Sequence, residues 1–175
     1  MSFGREFATA LYSIATESQN RKDYLEALRL VDGIFKENPE YIDMLESPAI
    51  DKDDKWKCLE EAFKGRVPAF VLSYIGLMSD KGQIRSFGES VKVFDELYRQ
   101  DNNIKTAVIE SAVELSDRQK KELVAKLESM TGSVVEAKYK ILPELLGGFR
   151  VDIDGEIIDG SLRHKLAEIK EKMNQ

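Results

Sequence analysis

The sequence predicts a mainly α-helical protein with a small α/β part, in which an N-terminal bundle of about six helices precedes a C-terminal βαβ-hairpin-α module. Apolar residues recur with helical spacing from Phe7 to Tyr98. Beyond the polar run Asp101–Asn103 their period shortens to about two, which is typical of strands. Of the 175 residues 42% are hydrophobic, which is enough for a real core. We therefore predict two domains, residues 1–103 and 104–175.

The first two helices are predicted from apolar residues on one face. Phe7, Leu11 and Ile14 follow the i, i+4, i+7 spacing of a helical face, and the alanines beside them let another helix approach closely. The pattern repeats over Leu28–Phe35. Pro39 ends this second helix, because the residue before a proline is pushed out of the α region.

Four further helical segments complete the predicted bundle. A short one covers Tyr41–Leu45 and ends before Pro48. Asp51 is the predicted N-cap of the fourth helix, and Pro68 is expected at the first position of the fifth. The sixth is a long amphipathic helix over Ile84–Tyr98.

The fifth segment differs from its neighbours because apolar residues cover nearly its whole circumference from Phe70 to Met78. Such a helix is either central in the core or binds something. This stretch and the face of the first helix at Phe7, Leu11 and Ile14 therefore leave two interpretations open. They form ordinary core, or they form a groove for a partner helix, since the two differ only in exposure.

The C-terminal module is predicted to contain two strands around one helix. Strands are expected over Thr106–Val113 and Val134–Leu142, with their pairing direction left open. Ser116 and Gln119 have capping-box spacing for the helix between them. The predicted inner face of that helix is formed by Leu123, Val124, Leu127 and Met130.

A turn-rich stretch, Leu145–Arg163, is predicted to form a hairpin and to start a last helix. Asp154-Gly155 is the dipeptide that a type I′ hairpin favours, because both turn residues need positive φ. Asp159 and Ser161 are candidate caps for the helix that follows. The predicted structural motif comprises Gly147, Gly148, Asp154, Gly155, Asp159, Gly160 and Ser161.

Composition argues against several classes of protein. The net charge is −6 and neither half is positive, which argues against a nucleic-acid-binding surface. The single cysteine, Cys58, rules out an internal disulfide and favours a reducing compartment. No signal or transit peptide is recognised, and the longest apolar segment is far shorter than the roughly 20 residues that span a bilayer. Membrane association is therefore expected only through partners.

No catalytic, cofactor or metal site is predicted. His164 is the only histidine, so paired-histidine and Cys/His zinc sites cannot be built within one chain. The glycines lack the spacing of a phosphate-binding loop, and the stretch around Asp154 lacks the flanking acids of a calcium loop. We expect Cys58 to pack as a partly or fully buried cysteine and His164 to lie exposed in a first helical turn.

Both ends of the chain carry motifs of one family. Leu146–Phe149, followed by Ile158–Arg163 and Leu166, resembles the C-terminal signature of the delta subunit of bacterial F-type ATP synthases. The mitochondrial counterpart is the oligomycin-sensitivity-conferring protein. Phe7–Leu11 is similar to that family's N-terminal Tyr-Ala-x-Ala-Leu motif, with Phe7 in place of the tyrosine.

The resemblance implies a non-catalytic subunit of the peripheral stalk, present in one copy, that resists the torque of rotation. The family's bundle grips the N-terminal helix of an alpha subunit between its first and fifth helices, which implies a site at Phe7, Leu11, Ile14, Phe70, Tyr74 and Leu77. Its C-terminal module contacts the C-terminal ends of the b subunits, for which Arg163, Lys165 and Lys170 are candidates. The implied location is the cytoplasmic face of a bacterial plasma membrane.

Two other functions stay open beside this one. An unrelated helical adaptor could use the same bundle to bind some other amphipathic peptide. A small enzyme could use Cys58 or His164, and it would need a pocket that joins one of these side chains to a carboxylate.

Overall fold

The computed structural model describes residues 3–161 and 164, and the chain divides into two compact units, Met1–Gln100 and Asp101–Gln175. The helices of the first unit are α1 Phe3–Glu17, α2 Arg21–Glu37, α3 Pro39–Glu46, α4 Lys52–Phe63, α5 Ala69–Asp80 and α6 Phe87–Asp101. The described strands and α-helix of the second unit are β1 Ile104–Ser111, α7 Asp117–Thr131, β2 Val134–Ile141, β3 Phe149–Ile153 and β4 Glu156–Asp159. The predicted fold class is confirmed, although the predicted last helix falls almost wholly outside the described residues.

The core of the first unit has aromatic rings at its centre. Phe35 on α2 meets Phe87 edge-on at a ring-centroid distance of 5.2 Å and Phe63 at 6.1 Å. The other large, fully buried side chains of this core are Leu28, Val31, Leu45, Leu59, Val71, Ile75, Met78, Ile84 and Phe94. Because they come from segments far apart in the sequence, the helices of this unit share one core.

One predicted helix start is confirmed and another is corrected. Asp51 occupies the N-cap position of α4, as predicted, but its side chain makes no capping hydrogen bond. Pro68 is the N-cap of α5 and not its first helical residue. Its extended backbone, with ψ of 145°, places it just outside the helix, where its missing N–H costs nothing.

Helices α4 and α5 approach closely at a glycine. A Cβ added to Gly76 would lie 2.2 Å from Cζ2 of the Trp56 ring, whereas a Cβ added to Gly33 in α2 would meet nothing within 4 Å. Both glycines lie inside helices, where alanine is intrinsically better than glycine by about 1 kcal/mol. Alanine substitutions at these two glycines therefore separate the effect of helix propensity on stability from the effect of packing.

We expect Gly33→Ala to raise the free energy of unfolding by about 0.5–1 kcal/mol, because it gains propensity without a clash. Gly76→Ala should lower it by about 1–2 kcal/mol, because displacing the Trp56 ring costs more than the propensity gain. Urea unfolding followed by Trp56 fluorescence measures both variants. Equal stability of the two variants would show that the ring moves freely.

The second unit is built on a four-stranded sheet with the order β2-β1-β3-β4. Strand β1 pairs in parallel with β2, from Ile104 opposite Val134 to Ser111 opposite Ile141. It pairs antiparallel with β3 on its other side. Helix α7 provides the crossover that parallel neighbours require. The pairing direction left open by the sequence is therefore parallel.

Three predicted details of this unit are corrected. Strand β1 begins at Ile104 and ends at Ser111, so Val113 lies beyond it and is 69% exposed. Strand β2 ends at Ile141, one residue earlier than predicted. Met130 was predicted on the inner face of α7 but is exposed, because only the turns of α7 at Leu123–Leu127 reach the sheet core.

The predicted turns and caps of the second unit are confirmed. Asp154 and Gly155 have φ of 51° and 92°, and Ile153 pairs with Glu156 directly across this two-residue turn. The capping box at the start of α7 is present, with both the Ser116 and Gln119 side chains bonded to backbone N–H groups.

Candidate functional site

Side chains of α1 and α5 line an open groove with a volume of about 320 Å³. All six residues of the site that the family resemblance implied are among them: Phe7, Leu11 and Ile14 from α1, and Phe70, Tyr74 and Leu77 from α5. The two segments that helical spacing singled out therefore contribute side chains to one surface. Their role in binding a partner stays a prediction.

The groove has a buried floor and an exposed rim. Leu11 and Tyr74 are only 3% and 7% exposed, so they belong to the core as well as to the groove. Phe70 and Leu77 are 57% and 42% exposed, and Ile14 is 39% exposed. The core interpretation therefore holds for the floor. The rim is exposed apolar surface, and its role as a groove for a partner helix stays a prediction.

The position of α5 explains why its sequence is apolar on every side. One face carries Val71, Ile75 and Met78, which are fully buried in the core of the first unit. Phe70 and Leu77 lie on another face and line the groove. A helix that serves a core and an open groove at once needs apolar residues in both directions.

A row of aromatic rings connects the groove to the core. The rings of Phe3 and Phe7 stack at 4.1 Å, and Phe7 lies 6.4 Å from Tyr74. The ring of Tyr74 lies 6.3 Å from that of Phe87 in the core. These contacts fix the Phe7 end of the groove against a packed interior.

The hydroxyl of Tyr74 adds no charge to the groove. Burial raises the pKa of Tyr74 to about 12, and the nearby Ser90 hydroxyl offsets part of that rise. Among the described residues, none makes a hydrogen bond of normal geometry to this hydroxyl, which is buried. The ring therefore serves the groove through its apolar surface.

Three lining residues were not among the predicted site residues: Glu6, Ala10 and Ser73. Ala10 and Ser73 each lie three positions after a predicted anchor, Phe7 and Phe70, so helical spacing could have found them. Glu6 carries no such apolar signal, because a single acidic residue in a first helical turn is ordinary. Among the described residues that line the groove, it is the only charged one.

The residues of the predicted C-terminal structural motif make close backbone contacts. Gly148 has φ of 76°, and a Cβ at this position would lie 2.4 Å from the carbonyl oxygen of Gly160. The N–H of Gly160 donates to the Phe149 carbonyl oxygen at 3.0 Å. The bend at Gly147-Gly148 therefore lies against the end of β4, which closes the β3–β4 hairpin.

Asp159 and Ser161 form the predicted cap. The carboxylate of Asp159 accepts a hydrogen bond from the Ser161 N–H at 2.9 Å. The Ser161 hydroxyl accepts one from the His164 N–H at 3.2 Å, which is N-cap geometry. Hydrogen bonds from Ser161 lower the pKa of Asp159. The predicted stalk-contact residues Arg163, Lys165 and Lys170 lie outside the described residues.

His164 lies in a cleft of about 340 Å³ together with Glu144, Asp159 and Ser161. The pocket that the enzyme hypothesis requires, joining His164 to a carboxylate, is therefore present. The arrangement does not match a nucleophile relay, in which an imidazole stands between hydroxyl and carboxylate. Here Asp159 bonds directly to Ser161, and the Ser161 oxygen is engaged with the His164 backbone.

Other features bear on metal binding and membranes. Within residues 3–161 and 164, no group of three or more His, Cys, Asp or Glu side chains is placed to hold a metal ion. The free cysteine, Cys58, is half-buried on α4. Among these same residues, no helix has both the length and the apolar character to cross a membrane.

Comparison with known families gives one match over nearly the whole chain. The family model described as ATP synthase delta (OSCP) subunit matches residues 4–173. The chain is 37% identical over 166 residues to ATP synthase subunit delta of Chlorobium limicola, covering 95% of this chain and 92% of that protein. It is 31% identical over 169 residues to ATP synthase subunit delta of Clostridium kluyveri, covering 97% and 93%.

A solved structure shares the fold. A chain in the cryo-EM structure of the Toxoplasma gondii mitochondrial ATP synthase hexamer superposes with a TM-score of 0.65 at 16% sequence identity. The alignment covers 100% of this chain and 99% of that one. At this identity the likeness concerns the fold alone.

Proposed function

We propose a function from one premise: this chain belongs to the ATP synthase delta (OSCP) subunit family. It is therefore a structural subunit of the peripheral stalk of an F-type ATP synthase. In the proposed role the chain has no catalytic activity of its own. It ties the catalytic head to the b subunits of the stalk, so that the torque of the rotating shaft does not turn the head.

The observation that carries this proposal is the groove between α1 and α5. Its rim exposes Phe70, Leu77 and Ile14, while its floor is buried and packed. An amphipathic helix presents apolar side chains at i, i+3, i+4 and i+7, which suits an elongated apolar groove of this kind. We propose that the N-terminal helix of an alpha subunit lies here.

Apolar burial supplies the affinity that such a link needs. Fully burying one large apolar side chain is worth about 1.5–3 kcal/mol. Three exposed rim residues together with their partners on the incoming helix are therefore enough for tight binding without an extensive match of charges. Binding that depends on apolar burial has an affinity that salt does not weaken, which suits a permanent structural contact.

We propose that the second unit holds the C-terminal ends of the b subunits. Exposed apolar side chains support this, among them Ile141, Leu146 and Ile157. The basic residues Arg163, Lys165 and Lys170 remain proposed contacts. The complex would contain one copy of the chain at the cytoplasmic face of a bacterial plasma membrane, attached only through its partners and without a cofactor, a metal or a nucleic acid.

Reconstitution tests the proposal. Catalytic head stripped of this chain is recombined with stalk and membrane sector, with and without the chain, and proton-driven ATP synthesis is measured. We expect coupled synthesis only when the chain is present, because an untethered head turns with the shaft. ATP hydrolysis by the detached head serves as the control and should not change. Equal synthesis without the chain would remove the proposal.

The same reconstitution separates the structural role from an enzymatic one. A Cys58→Ser, His164→Ala double variant removes the two side chains on which the enzyme hypothesis depends. We expect it to restore coupled synthesis as well as the native chain does. The adaptor hypothesis predicts instead that the groove prefers some other helix, which direct competition against an alpha N-terminal peptide would reveal.

A further inference from the structure

The Glu6 carboxylate lies at a groove whose other described lining residues are uncharged. The Glu6 side chain is exposed. Positions one turn further along α1 hold Thr9 and Ala10, and Phe3 lies one turn before, so no cation on the described helix can pair with it. No ion pair to Glu6 occurs among the described residues.

The neighbouring charges do not neutralise this carboxylate. Arg5 is next to it in sequence, but consecutive residues of a helix point in different directions. The Arg5 guanidinium lies 3.9 Å from the Glu96 carboxylate on α6 instead. An acid in the first turn of a helix gains from the helix dipole, which explains its residue type but not its place on the groove rim.

We propose that Glu6 is a specificity residue of the groove, which selects a helix bearing a lysine or arginine at one end of its apolar stripe and fixes the direction in which that helix lies. The inference rests on the proposed function, since it concerns the same groove. An electrostatic contact of this kind adds specificity more than affinity.

Glu6 can distinguish the two directions of a bound helix because it lies at one end of the groove. The groove residues of α1 extend to Ile14, which is roughly 12 Å further along the helix axis at about 1.5 Å per residue. A helix that lies in the wrong direction would carry its cation to that far end. At physiological salt the Debye length is about 8 Å, so attraction across this distance is largely screened.

Two synthetic peptides of about 18 residues test the inference. They have the same amphipathic stripe and confirmed helicity, and they differ only at one position one turn beyond the stripe, which is lysine in one peptide and glutamine in the other. Affinity for the full chain is measured by titration calorimetry. We expect a preference of about threefold to fivefold for the lysine peptide, the size expected of a partly exposed ion pair.

Variants assign the preference to Glu6. Glu6→Gln should bind both peptides equally, Glu6→Lys should disfavour the preferred peptide, and 1 M salt should abolish the preference. Glu17→Gln, an equal loss of charge on α1 away from the groove, should keep it. Equal binding by the native chain, or a preference that survives Glu6→Gln, would overturn the inference and leave the groove intact. Binding of neither peptide would overturn both.

Discussion

A Phe70→Ala, Leu77→Ala double variant should lose most of its affinity for the alpha-subunit N-terminal helix. Both side chains are large, apolar and about half exposed on the groove rim, so a partner helix would bury them on binding. Truncation of one such anchor costs about 1–2 kcal/mol, which is roughly tenfold in the dissociation constant. The double variant should therefore bind about a hundredfold more weakly.

The exposure of these two residues allows an effect on binding to be separated from an effect on stability. Because both side chains are about half exposed in the free protein, their removal opens no closed cavity in the core, and the free energy of unfolding should fall by only about 1 kcal/mol. Truncating the floor residue Leu11 instead would open a cavity and confuse stability with binding. Calorimetric titration with an alpha N-terminal peptide, paired with urea unfolding, measures both quantities.

Leu30→Ala is the matched control. Leu30 lies on α2 of the same unit and is 40% exposed, much as Leu77 is, but it does not line the groove. We expect this variant to bind the peptide with unchanged affinity. If the double variant bound as tightly as Leu30→Ala does, the partner helix would have to lie elsewhere on the bundle.

Sequence spacing singled out the two segments that line the groove, and the family resemblance implied a site between them, but neither indicates which of the residues are exposed. Phe70 and Tyr74 lie one turn apart on α5, and both fit the same pattern. Tyr74 is nevertheless buried by contacts with Phe7 and Phe87, whereas Phe70 is open. Exposure depends on which helices pack on either side, which periodicity within one segment does not contain.

The same limit explains the errors in the second unit. The Asp154-Gly155 turn and the Ser116 capping box depend on local backbone geometry, and both were predicted correctly. The end of β1 and the exposure of Met130 depend on where partner strands stop, and both were predicted wrongly. Short motifs determine local backbone conformation, but the length of each strand in a sheet depends on the strands that pair with it.

Gly148→Val is expected to disrupt the second unit while the first stays folded. The added Cβ would lie 2.4 Å from the Gly160 carbonyl oxygen and 3.1 Å from the Ser161 Cα, and both are backbone atoms that cannot rotate away. Valine at φ of 76° also adds backbone strain of about 1–3 kcal/mol. Losing the Gly160–Phe149 hydrogen bond adds about 0.5–1.5 kcal/mol.

Gly155→Val is the control that separates the backbone strain at positive φ from the steric clash of the added Cβ. Gly155 also has positive φ, at 92°, but a Cβ there would meet nothing within 4 Å. This variant should lose only the strain energy, about 1–3 kcal/mol, and its hairpin should persist. Hydrogen exchange of the amides in β3 and β4 measures the difference, with strong protection lost in Gly148→Val and reduced in Gly155→Val.

Gly148→Val should affect the binding activity of the second unit and leave that of the first unit unchanged. Trp56, the only tryptophan, lies on α4 and reports on the first unit, so its fluorescence and its unfolding midpoint should be unchanged in Gly148→Val. The variant should bind the alpha peptide normally and lose binding to the b subunits. If both activities fell together, folding of the groove would depend on the second unit, and the proposed link would have to act as one body. Unchanged binding at both ends would mean that the contact between Gly148 and Gly160 is not needed for the stalk-binding surface.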